Sequence, residues 1–376
     1  MKTRSIFLFA ITLYIILISL SGCNKCSNPI DPNNEGGNPA AGESELFFNY
    51  SLNINSVQIF TCLSDGSNQR QWTTTSGFIT SNIWSGITSA PRAGKIAFTA
   101  GEYKENAQLV IANTDGSNAK VLVPSTASPD GQIFFPVLAP DASKVAFMRA
   151  ANKSNIYMIN TDGTGESIIA TKSFAESYPT FSPDGTRLAY YTANKTIAIG
   201  QIQYLNGKYS VLWDEPIDNA AVFSDGDSRL DWSPDGKEIV YVRGKKGVST
   251  EIWVYNTESR TQRKIASGLC AMPSWSPDGS QIAYSKVMTE YSPSTSEVDV
   301  MTVRPDGSGE KNITNTPDAI EQYPQWSSDS KKIVINSFTL NYGKANNYTG
   351  NIVVIDMAAQ TPKLIATNAI LGFFSR

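Results

Sequence analysis

The side chains that could do chemistry in this sequence are mostly carboxylates, and they recur. Asp141, Asp184, Asp235, Asp278 and Asp329 follow one another at intervals of 43, 51, 43 and 51 residues. Aspartates at regular spacing can be metal ligands or general acids. A calcium loop, however, needs several oxygens converging in one segment, and no Asp-x-Asn/Asp-x-Asn/Asp-Gly run with a distal Glu occurs. Asp225 and Asp227, in Ser224-Asp225-Gly226-Asp227-Ser228, come nearest to a carboxylate pair for glycoside chemistry; their plainer reading is an exposed turn. The 376 residues include no histidine. Ser-His-Asp and Cys-His chemistry and His-ligated metals are thereby excluded within the chain, and no Gly-x-Ser-x-Gly elbow is present. No catalytic residue, metal ligand or cofactor site is assigned.

The neighbours of the aspartates account for them better. Pro179-Thr180-Phe181-Ser182-Pro183-Asp184-Gly185 recurs as Leu230-Asp231-Trp232-Ser233-Pro234-Asp235-Gly236 and as Pro273-Ser274-Trp275-Ser276-Pro277-Asp278-Gly279. Weaker copies run from Pro136 to Ala142 and from Pro324 to Ser330. In a tight turn Pro presets φ, Gly accepts a left-handed backbone, and Asp and Ser side chains bond nearby N–H groups. The aspartates are therefore read as turn residues. Trp232, Trp275 and Trp326 share one repeat position and are read as packing residues.

These turns must sit between strands. Each copy is followed by an alternating segment such as Arg187-Leu188-Ala189-Tyr190-Tyr191 or Glu238-Ile239-Val240-Tyr241-Val242, with apolar side chains expected on one face. A third, nearly continuous apolar strand follows, as in Ile156 to Ile159, Ile252 to Tyr255 and Ile352 to Ile355, which implies burial on both faces. Thr114-Asp115-Gly116-Ser117, Thr161-Asp162-Gly163-Thr164 and Pro305-Asp306-Gly307-Ser308 then read as hairpin turns to a fourth strand. Six such units have second strands beginning near Lys95, Lys144, Arg187, Lys237, Gln281 and Lys332. A seventh, at Leu46 to Trp72, lacks a first strand, and Ala369 to Phe374 can supply it. The expectation is an all-β, seven-bladed β-propeller of four-stranded antiparallel blades, closed by pairing of the N- and C-terminal strands, with six blades if the N-terminal unit is irregular.

The repeat Phe/Trp-Ser-Pro-Asp-Gly-x-x-Ile/Leu-Ala-Tyr, followed by a Thr-Asp-Gly hairpin, resembles the TolB-type propeller repeat. The resemblance covers residues 80–366, and the incomplete unit extends it to residue 45. It implies the fold and no single function, because similar repeats occur in translocation-system proteins, in propeller domains of serine peptidases and in polysaccharide lyases. TolB proper also carries a second N-terminal domain. This chain departs from that pattern, which puts transfer of the Tol-system role in doubt.

In its place, Lys2 and Arg4 precede an apolar run from Ile6 to Ile18, the pattern of a signal peptide. The run is too short to span a bilayer comfortably, since a spanning helix needs roughly 20 apolar residues. Leu20-Ser21-Gly22-Cys23 resembles the lipobox of bacterial lipoproteins, which implies that Cys23 carries the lipid. The organisation read from this is signal peptide 1–22, tether 23–44 rich in Asn, Pro, Gly and Ala, and propeller 45–376. Asn24 gives no retention signal of the Asp type, which points to an outer-membrane address, facing the periplasm or the cell surface, in a diderm host. Loss of Lys2 and Arg4 lowers the formal charge from -3 to -5. No segment has the Lys/Arg density that nucleic acid selects. Cys62 and Cys270 fall in or beside strands and are read as buried thiols.

Strand order divides the connections between two faces. Turns between strands one and two and between three and four share one face and are short. The other face holds Asp214 to Ser228, Lys286 to Glu297 and Phe338 to Gly350, with shorter segments at Gly101 to Asn106 and Gly244 to Thr250. Long loops on a rigid scaffold are where recognition concentrates, so this face is taken as functional. Its candidate contact residues are Tyr103, Lys104, Lys245, Lys246, Tyr291, Tyr342, Lys344 and Tyr348. The function expected is a non-catalytic envelope lipoprotein that binds an envelope protein or a glycan. A carbohydrate-active enzyme using carboxylates on the long-loop face, and a structural subunit of an envelope assembly, stay open as alternatives.

Overall fold

The computed structural model describes residues 45–53, 56–72, 91–101, 108–124, 132–150, 154–170, 179–192, 196–213, 217, 229–245, 249–288, 297–317, 319–339 and 349–375. Among them every regular element is a strand. Blade one takes β27 (Ala369–Phe374), β1 (Glu45–Asn53), β2 (Ser56–Leu63) and β3 (Arg70–Gln71), in that order. Blade two contributes β4 (Lys95–Ala100), β5 (Gln108–Asn113) and β6 (Lys120–Val123). Blade three is β7 (Gln132–Leu138), β8 (Lys144–Ala150), β9 (Ser154–Asn160) and β10 (Ser167–Ala170). Blade four is β11 (Thr180–Phe181), β12 (Arg187–Tyr191), β13 (Ile197–Leu205) and β14 (Lys208–Trp213).

Blade five is β15 (Asp231–Trp232), β16 (Glu238–Lys245), β17 (Ser249–Asn256) and β18 (Gln262–Ala266). Blade six is β19 (Leu269–Trp275), β20 (Ile282–Val287), β21 (Val298–Val303) and β22 (Lys311–Asn312). Blade seven is β23 (Ala319–Trp326), β24 (Lys332–Thr339), β25 (Thr349–Asp356) and β26 (Thr361–Thr367). Single parallel bridges, Thr250 to Leu269 and Val298 to Ile320, join blades five, six and seven into one 12-stranded sheet. These bridges set the start of each third strand beside the start of the next first strand. The two-to-three and blade-to-blade connections therefore lie at one end, as strand order requires.

The ring is closed by packing. Seven apolar clusters each span two neighbouring blades, from Phe47, Ile59 and Phe373 against Ile96 and Phe98 round to Val334 and Ile352 against Leu46 and Phe374. Burying such side chains contributes roughly 1.5–3 kcal/mol each, and no blade could keep both its faces dry alone. Sandwiching also corrects one expectation. The second strands alternate in sequence, yet Leu188, Ala189, Tyr190 and Tyr191 are all buried, because each strand faces a neighbouring blade on either side. In β17 burial alternates instead, with Trp253 and Tyr255 half-buried. There the Arg243 guanidinium lies 4.5 Å from the Trp253 ring.

The recurrent aspartates lie in turns. Asp235 Oδ1 accepts from Ser233 Oγ at 2.6 Å and from Lys237 N at 3.0 Å. Ser233 Oγ in turn accepts from Glu238 N at 2.9 Å. Asp184, Asp278 and Asp329 repeat the pattern, and Asp141 keeps the contact to the residue two ahead. Gly236 has φ +72°, whereas the weaker copies hold Ala142 and Ser330 in the same left-handed region at 52° and 60°. The tryptophans stitch blades together: Trp326 Nε1 donates to Ser274 O at 3.1 Å and Trp232 Nε1 to Thr180 O at 3.4 Å. Arg187 stacks 4.6 Å from the Trp232 ring and donates to Gly236 O.

Candidate functional site

Of the contact residues expected from sequence, Tyr103, Lys104, Lys246, Tyr291, Tyr342, Lys344 and Tyr348 lie outside the described residues, as do Cys23, Asp225 and Asp227. Lys245 ends β16 opposite Ser249. What the fold does bring together is the footing of two long connections. Val287 and Val298 flank the connection within blade six, and Phe338 precedes the one within blade seven. With Ile320 they form a small apolar cluster of their own. Met288, 43% exposed, continues it outward.

Beneath this cluster the opposite side of the sheet is polar. Across β20, β21, β23 and β24, Lys286 lies opposite Asp299 and Glu321 opposite Ser337, each one residue beyond or before the Val298–Ile320 bridge. Asp299 is 1% exposed and Glu321 is 4% exposed. Asn312 Nδ2 donates to Asp299 Oδ2 at 2.6 Å. Thr314 Oγ1 accepts from Val300 N at 3.1 Å and lies 3.4 Å from Asp299 Oδ1. The Thr314 and Thr316 hydroxyls favour the ionised form of Glu321, yet its Oε2 has no hydrogen-bond partner. Burial pushes the Glu321 carboxyl up to about 7, and Asp299 and Glu297 add like-charge repulsion. Lys286 is turned onto Glu310 Oε1 at 2.7 Å.

Side chains reach across the axis. First strands of adjacent blades touch round the ring, so they are innermost. In three of them a bulge holds the residue before a proline in the left-handed region: Phe135, Met272 and Tyr323, with φ of 52°, 55° and 58°. Arg229 occupies the same repeat position in blade five. Its guanidinium lies 5.1 Å from the Tyr323 ring of blade seven and 5.9 Å from the Phe373 ring of blade one. Neither blade adjoins blade five, so these contacts cross the axis.

Solved structures share this fold. TolB from Acinetobacter baumannii is 20% identical, with a TM-score of 0.52 over 87% of this chain and 81% of that one. The fold is that of a TolB-like β-propeller. A putative 6-phosphogluconolactonase from Bacteroides uniformis is 12% identical, with a TM-score of 0.57 over 88% and 99% of the two chains. Puromycin hydrolase is 13% identical, with a TM-score of 0.59 over 93% of this chain and 57% of that one. No family model and no curated protein sequence matches the chain. At these identities the likeness is one of fold.

In this TolB-like propeller the sequence reading passed over Glu321, Asp299 and Arg229. Lining the repeats up would have found two of them. Six residues before the turn serine, or the alanine that replaces it, stand Ile133, Cys270 and Ala369, which are buried and carry no charge, and also Glu176, Asp227 and Glu321, so a carboxyl recurs at this position in three copies, and Glu321 is the one among the described residues. Four before it stand Phe135, Met272, Tyr323 and Arg229. Asp299 has no such signature, since it lies on a third strand outside the turn repeat. Cys270 is a buried thiol whose surroundings push it up to about 12, chiefly by desolvation, so it is inert.

Proposed function

We propose that the chain is a lipid-anchored, non-catalytic binding propeller of a bacterial cell envelope, which receives an envelope protein or a glycan on the face of its long connections. The observation carrying this reading is the convergence of two long connections on one footing, Val287, Val298, Ile320 and Phe338, with Met288 exposed beside it. A rigid closed ring holding variable connections is the arrangement in which binding residues are presented at low ordering cost. The lack of histidine and the burial of Glu321 and Asp299 favour binding over turnover. Lipid attachment at Cys23 would place the propeller outside the cytoplasm, on the outer membrane and facing either the periplasm or the surface.

The test is crosslinked capture from intact envelopes, repeated with the connections within 286–297 and 338–350 shortened. Loss of captured partners on shortening either connection is the expected result, and an unchanged set refutes the face assignment. One stoichiometric complex that survives purification would favour an assembly subunit instead. Cys23→Ala should release the chain from the membrane fraction. Turnover of lactone or peptide substrates by the purified chain would overturn the non-catalytic reading.

A further inference from the structure

Blades six and seven pack through an apolar cluster, and among the described residues one main-chain bridge, Val298 to Ile320, joins their strands at the footing of both long connections. Directly beside it lies the buried carboxyl of Glu321, 4% exposed. Among the described residues, the charged and polar groups that bear on Glu321 come from three strands and the segment after β22. From the blade-six side these are Asp299 and Glu297, both raising its affinity for a proton, and the Thr314 and Thr316 hydroxyls. On β24 its opposite residue is Ser337, which is neutral. On β20 Lys286 is engaged with Glu310. No ion pair involves Glu321 among the described residues. Thr314 has one hydroxyl proton and stands between two carboxyl groups, so it cannot satisfy both at once.

Such a site needs one more positive charge, from a proton or a metal ion. Hard cations such as calcium take six to eight oxygens. Among the described residues no group of three or more His, Cys, Asp or Glu side chains is placed to hold a metal. A single proton requires no such shell. We propose that the seam between β21 and β23 is a proton-controlled joint: protonated Glu321 keeps it closed, and ionisation beside Asp299 and Glu297 loosens the Val298–Ile320 bridge and with it the footing of both long connections. The device regulates the binding face and so rests on the reading of that face given above; the joint itself is measurable without any partner.

Hydrogen–deuterium exchange of the full chain, corrected for the intrinsic pH dependence of exchange, would be compared at about pH 5.5 and about pH 8.5. Protection at the start of β21 and of β23 should fall about tenfold or more at the higher pH, as one pKa unit of coupling implies. In Glu321→Gln protection there should be high and the same at both values. Unchanged protection in the parent chain, or a pH response that persists in Glu321→Gln, would overturn the proposal. Asp299→Asn provides a second check, because removing the repulsive neighbour should move the midpoint of the response to lower pH. A midpoint that stays in place also overturns it. If the joint responds as expected while shortened connections leave capture unchanged, the binding-face reading fails and the joint stands.

Discussion

Leu46, near the start of the described chain, lies directly opposite Phe374, near its end, in an antiparallel pair. Both are fully buried, and with Val334 and Ile352 they fill the last seam of the ring. The closure is therefore non-covalent, and it caps the edge of β1 that would otherwise template association.

Phe374→Ala should cost about 3–5 kcal/mol, the usual range for a buried Phe. A chain truncated after Thr367 should lose its single cooperative transition and self-associate. Urea denaturation of the first and gel filtration of the second check this. Full retention of stability in both would mean that the terminal strands do not close the ring.

Asp235→Ala should cost about 1–2 kcal/mol, because it strands the Ser233 hydroxyl and the Lys237 N–H. The Ser233 hydroxyl holds the Asp235 carboxyl below its ordinary value. A depressed folded-state value means that this stabilisation is present above the unfolded carboxylate range and disappears as pH falls through the folded one. The difference between parent and variant should therefore shrink in acid, which thermal unfolding below about pH 4 would reveal. The variant should capture partners normally.

Glu321 carries the opposite sign. Its value is raised from 4.5 to about 7, so its contribution is intact below the unfolded value and lost as pH rises through the folded one. Stability should decline by about 3 kcal/mol across that window in the parent chain. Glu321→Gln should flatten the decline and be the more stable form above neutrality, as a pH series of denaturant midpoints would show.

Arg229→Ala should destabilise by about 1–3 kcal/mol by leaving a void where its side chain is buried and removing a desolvated cation–π contact. Arg229→Lys should recover little, since an ammonium cannot stack between Tyr323 and Phe373 as a planar guanidinium does. Equal stability of Lys and Arg at this position, measured by denaturation, would show that charge alone matters there.

Much of the fold was legible in one sequence because it rests on local rules repeated seven times. A turn of Ser, Pro, Asp and Gly dictates its own backbone, and Asp235 forms the same bonds wherever its blade sits. The missing first strand of the N-terminal unit and the spare strand at Ala369 to Phe374 were a matching pair visible by counting. The second strands were read as one-sided because alternation reports hydrophobicity along a strand and is blind to what packs on either face.

The site was a different matter. Alternation, spacing and turn chemistry are short-range properties, and they determined the blade, the number of blades and the ends that join. Which side chains from separate blades meet was decided by ring closure alone. Closure carries Arg229 across the axis to Tyr323 and Phe373, and the packing of consecutive blades sets Glu321 beside Asp299, 22 residues earlier in the chain. Charges at that separation are independent in sequence, and only the packed seam, by removing water from around Glu321, raises its affinity for a proton and lets the nearby Asp299 charge add to that effect.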